Sequence, residues 1–235
     1  WCVIPTYEVP PSYGVNLTPF AALSGDPGVT VTYTIGITNT GNVTDTFALS
    51  HGGETWPTSL SAPEITLGAG QSGSFMAWVS IPALAYGLDM DTAAITATSQ
   101  TEPLASAVAS LETTATPVYG VDLSGDQAGE GVVGTVVTYT LTVTNQGNTT
   151  DTFTLAISGT WTAEVDSSPA GPLGPGQSEV FTVTVHVPAE ANVGEMDITT
   201  VTAQSTGDAS ATASAHLETT ALPATRYLYL PAVVR

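Results

Sequence analysis

Residues 32–47 read Thr32-Tyr33-Thr34-Ile35-Gly36-Ile37-Thr38-Asn39-Thr40-Gly41-Asn42-Val43-Thr44-Asp45-Thr46-Phe47. Residues 138–153 read Thr138-Tyr139-Thr140-Leu141-Thr142-Val143-Thr144-Asn145-Gln146-Gly147-Asn148-Thr149-Thr150-Asp151-Thr152-Phe153. Each stretch first alternates apolar and hydroxyl side chains, the period of two that marks a half-buried strand. Each then breaks at an Asn-x-Gly-Asn turn. The offset from Thr32 to Thr138 is 106 residues, and other stretches keep it. Leu67-Gly68-Ala69-Gly70-Gln71-Ser72 returns as Leu173-Gly174-Pro175-Gly176-Gln177-Ser178, and Leu111-Glu112-Thr113-Thr114 as Leu217-Glu218-Thr219-Thr220. A unit this long is a domain, not a solenoid repeat of about 20–50 residues. The 235 residues therefore divide into an N-terminal tail (1–12), two domains (13–118 and 119–224) and a C-terminal tail (225–235).

Working outward, more matched strands follow. Val29, Val31, Tyr33, Ile35 and Ile37 point one way in the first stretch, and Val137, Tyr139, Leu141 and Val143 in the second. Phe75, Ala77, Val79 and Ile81 match Phe181, Val183, Val185 and Val187. Ala93, Ile95 and Ala97 match Thr199, Val201 and Ala203, and the alanine series ending at Leu111 matches the one ending at Leu217. Phe47 and Leu49 match Phe153 and Leu155, and Val15 and Leu17 match Val121 and Leu123. No segment keeps a helical period. About seven short strands per roughly 100 residues predict an all-β protein of two tandem immunoglobulin-like antiparallel β-sandwiches. With Cys2 as the one cysteine, no intrachain disulfide can brace either core.

The string Thr-Tyr-Thr-apolar-x-apolar-Thr-Asn-x-Gly-Asn-x-Thr-Asp-Thr-Phe, then Leu-Gly-x-Gly-Gln-Ser, then Val185-His186-Val187-Pro188-Ala189, resembles bacterial extracellular Ig-like repeat modules of the CARDB-like and glycosidase-associated type. The resemblance covers residues 13–222 and implies two tandem copies, the sandwich fold and an extracellular or cell-surface location in a bacterium. Such modules serve as stalks, spacers, adhesin repeats and accessory domains, so the resemblance assigns no activity.

Composition narrows the partners. Twenty-one acids face two basic residues, Arg226 and Arg235, for a net charge of −19. Nucleic-acid binding needs basic contacts to phosphate, so that class is excluded, and an anionic membrane surface would repel the chain. Hydrophobic residues make up 42%, enough for a core in each domain, yet no apolar run approaches the roughly 18 residues of a membrane span. The chain opens at Trp1, which reads as a processed or trimmed start, and no signal peptide is visible.

Motifs for catalysis are missing. His51, His186 and His216 are scattered, without metal-ligand spacing, and no nucleophile elbow, Walker or dinucleotide signature is present. The chain is therefore read as a non-enzyme with no cofactor. Asp45, Asp151, Asp89 and Asp91 are weak Ca²⁺ candidates, because paired Asx residues can offer oxygens; Asx-turn hydrogen bonding is the plainer reading. Asn16, Asn42 and Asn148 lie in sequons that permit glycosylation. A glycan ligand is compatible with the chain but not identified by it.

Two features point to self-association. Met76 and Trp78 take outward positions on a strand whose copy carries Thr182 and Thr184. Both tails are apolar, with Trp1, Val3 and Ile4 at one end and Tyr227, Leu228, Tyr229, Leu230, Val233 and Val234 at the other. In the repeat register residues 1–12 stand where a preceding domain's last strand would be, and 226–234 where a following domain's first strand would begin. The expected function is structural: a subunit joined head to tail with copies of itself by strand addition. The alternative is a stalk or accessory region of a larger secreted hydrolase or adhesin.

Overall fold

The computed structural model describes residues 8–224. It divides into two compact units, Trp1–Pro117 and Val118–Arg235. The first unit contains β1 (Val15–Leu17), β2 (Phe20–Gly25), β3 (Thr30–Asn39), β4 (Asp45–Gly52), β5 (Thr58–Leu60), β6 (Glu64–Leu67), β7 (Ser72–Ser80), β8 (Met90–Ser99) and β9 (Ser106–Ala115). The second contains β10 (Val121–Leu123), β11 (Gln127–Val132), β12 (Val136–Asn145), β13 (Asp151–Ser158), β14 (Ala163–Val165), β15 (Ala170–Leu173), β16 (Ser178–His186), β17 (Met196–Ser205) and β18 (Thr212–Leu222). Each unit is an immunoglobulin-like sandwich with the same strand order. A four-stranded sheet runs β1-β3-β7-β5 in the first and β10-β12-β16-β14 in the second. A five-stranded sheet runs β2-β9-β8-β4-β6 and β11-β18-β17-β13-β15.

The fold has two features that the sequence reading lacks. The opening strand is split between the sheets. β1 pairs antiparallel with β3, the chain crosses at Thr18-Pro19, and β2 continues in the same direction along β9. No reversal intervenes, so β2–β9 and β11–β18 are parallel in otherwise antiparallel sheets. Proline has no N–H to give a ladder, which suits Pro19 to the break. Short edge strands β5, β6, β14 and β15 complete the nine strands of each unit.

The alternating residues fill the cores. Tyr33, Ile35, Ile37, Phe47, Phe75, Ala77, Val79, Ile95 and Leu111 are buried in the first unit, with Tyr139, Leu141, Val143, Phe153, Phe181, Val183, Val201 and Leu217 in the second. Val29 is a correction: it precedes β3 and is exposed. Trp56 and Trp161, in loops that no alternation marks, are also core residues.

Each core holds one hydroxyl that joins its two sheets. Tyr33 on β3 donates to the carbonyl of Glu112 at 2.7 Å and lies 2.8 Å from Thr113 Oγ1, both on β9. Tyr139 meets Glu218 O at 2.8 Å and Thr219 Oγ1 at 2.7 Å in the same way. Burial is the main cause that raises both phenol pKa values, partly offset by the threonine hydrogen bonds. The neutral phenol is thus favoured in the folded state. Its contribution to stability is complete below the ordinary tyrosine pKa of about 10 and is lost as pH rises through the higher folded value. Tyr33→Phe should lower the unfolding free energy of its domain by roughly 1–3 kcal/mol, because Thr113 and the Glu112 carbonyl lose a buried partner. Urea melts at pH 7 and above pH 10 check this: the deficit of the variant should shrink at the higher pH.

Candidate self-association surface

The Thr-Asn-x-Gly-Asn turn is built around a buried amide. Asn39 closes β3, donates through Nδ2 to Val43 O at 2.8 Å and Leu67 O at 3.0 Å, and accepts from Gly41 N at 2.8 Å. Asn145 repeats this with Thr149, Leu173 and Gly147. Glycine is required at the fourth position, since a Cβ on Gly41 would stand 2.4 Å from the Ser12 carbonyl. The second asparagine grips the incoming chain. Asn42 Oδ1 accepts from Ser12 N at 2.8 Å, Nδ2 donates to Pro10 O at 3.0 Å, and Asn42 N donates to Ser12 O. Asn148 holds Val118 in the same way, through Oδ1 at 2.6 Å and its own N–H. Two of the three sequon asparagines therefore bind backbone; Asn16 is exposed on β1.

The Ca²⁺ candidates do not converge. Asp91 is buried and accepts from Thr55 N at 2.8 Å, Thr55 Oγ1 at 2.7 Å and Trp56 N at 3.2 Å. It anchors the loop that delivers Trp56 to the core, as Asp197 anchors Trp161. Asp89 Oδ2 caps its own turn by accepting from Tyr86 N. Asp45 and Asp151 accept from the following amide, and Asp151 also binds the Ser205 hydroxyl. Asp45 Oδ2 is buried without a partner among the described residues. N–H and O–H donors meet these carboxylates, whereas Ca²⁺ needs six to eight converging oxygens. Among the described residues no group of three His, Cys, Asp or Glu is placed to hold a metal. His51 pairs with Glu54, His216 with Asp126, and His186 is exposed.

Met76 and Trp78 stand on the outer face of β7, opposite Thr34 and Thr32 of β3, with Ser59 of β5 beside Trp78. Met76 is 46% exposed and Trp78 is half-buried. Around them the sheet is a hydroxyl ladder, with Thr30–Ser80 and Thr38–Ser72 contacts. The copy is charged at this place. Asp166 accepts from Thr182 N at 2.9 Å and Thr182 Oγ1 at 2.8 Å, and these bonds, the backbone one foremost, lower its pKa. In the first unit Ser61 takes the same role against Met76. The sequence comparison found the apolar side chains but not the carboxylate they face in the copy.

A second apolar group escaped the sequence reading. The loop from β7 to β8 carries Leu84 (91% exposed), Tyr86 and Leu88 (68% exposed), where the copy carries Glu190, Asn192 and Gly194. Leu88 has φ 72°, a left-handed backbone that Gly194 adopts without a Cβ in the copy. A leucine held there costs about 1–2 kcal/mol. The repeat alignment itself could have exposed this difference. The tail residues Trp1, Val3, Ile4, Tyr227, Leu228, Tyr229, Leu230, Val233 and Val234 lie outside the described residues, as does Cys2.

Comparison with family models agrees with the architecture of the second unit. A family model described as "IG-like fold at C-terminal of FixG, putative oxidoreductase" matches residues 137–220. No curated protein sequence matches the chain. Among solved structures, the PapD-like domain 7 of human CEP192 aligns at 14% identity and TM-score 0.35, over 49% of this chain and 94% of its own. A protein of unknown function from Porphyromonas gingivalis W83 aligns at 13% and 0.33, over 90% and 100%. The titin domains z1z2 in complex with telethonin align at 14% and 0.34, over 92% and 98%. The chain is an Ig-like β-sandwich protein, and among its described residues no helix is long and apolar enough to cross a membrane.

The role given to Asp91 is directly testable. Asp91→Ala should destabilise the first domain by roughly 2–4 kcal/mol, since three donors lose a charged acceptor. A chelator should leave the wild-type melting temperature unchanged. A fall of several degrees with chelator would mean that a bound cation contributes to the fold.

Proposed function

We propose that this is a structural protein of the extracellular space or cell surface, a subunit that joins head to tail with copies of itself. One observation carries the reading: the two domains share most of their buried polar groups, yet on β7 and in the loop after it the first exposes large apolar side chains where the second is polar or charged, whereas on β12, β16 and β17 the second is the apolar copy, with Val136, Val180 and Ile198 in place of Thr30, Ser74 and Thr92. Met76 and Trp78 replace Thr182 and Thr184, and Leu84, Tyr86 and Leu88 replace Glu190, Asn192 and Gly194. Adjacent exposed apolar side chains on a polar template mark contact surfaces. The apolar tails supply the other half of the contact, and strand addition supplies backbone hydrogen bonds along with side-chain burial. The net charge of −19 keeps unmatched surfaces apart.

A stalk or accessory role in a larger secreted protein is the second reading. It is favoured by the matching family description, an Ig-like fold at the C-terminal end of another protein. In either reading the domains do no chemistry of their own.

Met76→Thr with Trp78→Thr copies the second domain's surface onto the first. The double variant should melt within a few degrees of the wild type, because both side chains lie outside the core, and its self-association should weaken at least tenfold by light scattering. Unchanged association together with a large drop in melting temperature would place these side chains in the core's service and remove the contact patch.

A further inference from the structure

We propose that the free edge of β2 is the acceptor for the C-terminal segment 226–234 of a second copy. This rests on the head-to-tail reading and names where the joint forms. β2 has a strand partner on one side only. The carbonyls of Pro19 and Gly25 accept from Ser110 N and Thr116 N of the β9 side. Backbone direction alternates along a strand, so the N–H and C=O of Phe20, Ala22 and Ser24 face away from β9. The side chains at these three positions stand level with Ser110, Glu112 and Thr114.

Exposed edges invite pairing with other chains, and proteins protect them with charge, Pro or bulges. The second domain does so. Its equivalent edge carries Asp126 and Glu130, and Asp126 Oδ1 accepts from His216 N at 2.7 Å, the amide position that Pro19 O serves in the first domain. The first domain does not. Phe20-Ala21-Ala22-Leu23-Ser24 has no charge and no proline, and Phe20 is 57% exposed. The same fold thus presents one guarded edge and one open edge.

The occupant follows from composition and length. Residues 226–234 contain no acid and are mostly Tyr, Leu and Val. They begin with Arg226, one of two cations in a chain of net charge −19. Glu112 lies level with Ala22, and Asp26 follows the end of β2, so the acceptor's surroundings are acidic. At about 3.3 Å per residue, the segment is long enough to run beside all six residues of β2. Proline at 231 removes one donor but is tolerated in a strand with one open side.

Two variants of the full chain test this. Phe20→Asp with Ser24→Glu places acids at the positions that match Asp126 and Glu130 of the second domain. Ala22→Pro removes the outward N–H while leaving the bonds to β9. Both should weaken concentration-dependent association in sedimentation at least tenfold with little change in melting temperature. In assembled wild type the amides of Ala22 and Ser24 should be protected from hydrogen exchange, and deletion of 225–235 should expose them. If deletion abolishes association while both edge variants still assemble with the wild-type constant, the head-to-tail reading stands and this acceptor is wrong. Protection of Ala22 and Ser24 that is independent of concentration would place the chain's own tail on the edge and overturn the intermolecular joint. A wild type that stays monomeric at millimolar concentration would overturn both.

Discussion

One phenol per domain sets the terms for everything else. Tyr33 and Tyr139 stand in the cores and reach across to the backbone of the opposite sheet. With one cysteine in the chain, no disulfide can tie the sheets together inside a domain. The sheets are held by interleaved apolar side chains, by this link through the core, and at one end by the Asn39 and Asn145 amides, which reach Leu67 O and Leu173 O on the opposite sheet. The link also fixes register. A slip of one residue in β3 would turn Tyr33, Ile35 and Ile37 outward and bring the threonines in. The phenol would then lose both its partners.

The buried polar groups of one domain recur in the other. Asn39 and Asn145 hold the turn after the tyrosine strand, Asp91 and Asp197 hold the tryptophan loop, and Thr113 and Thr219 receive the phenol. Such groups are costly when unpaired, and the asparagine, Asp91, Asp197 and threonine groups come with partners in both domains, whereas Asp45 Oδ2 lacks among the described residues the hydroxyl that Asp151 Oδ2 finds in Ser205. The paired groups do structural work, closing turns and anchoring loops. The cores differ by small exchanges such as Ala77 for Val183 and Ala93 for Thr199, and the larger exposed apolar differences of the first domain lie on β2, on β7 and in the loop from β7 to β8. Function is therefore sought where the copies diverge.

The architecture was largely legible because period-two alternation states which face is buried, and the 106-residue offset repeats that statement. What stayed hidden had no periodic signal. β5, β6, β14 and β15 are too short to alternate, and the change of sheet at Pro19 gives β2 a parallel partner that the strand's own residues do not announce. Asn39 and Asp91 looked like surface turn or cation residues because polarity alone cannot distinguish a solvated side chain from one that satisfies buried amides. Of the candidate surface, Met76 and Trp78 were legible against the threonines of the copy. Leu84, Tyr86 and Leu88 differ from the copy in the repeat alignment too, but a loop gives no inward or outward expectation, so only the structure shows that Leu84 and Leu88 are exposed. The tails are marked by apolar composition and by repeat register, and both lie outside the described residues.

Self-association is the central claim, and direct imaging tests it with the fewest assumptions. Electron micrographs of the full chain, taken across a concentration series in low and physiological salt, should show linear arrays that lengthen with concentration. Physiological salt should favour them, because screening reduces repulsion between acidic subunits. Separate particles at every concentration and salt, with no arrays, would contradict the account.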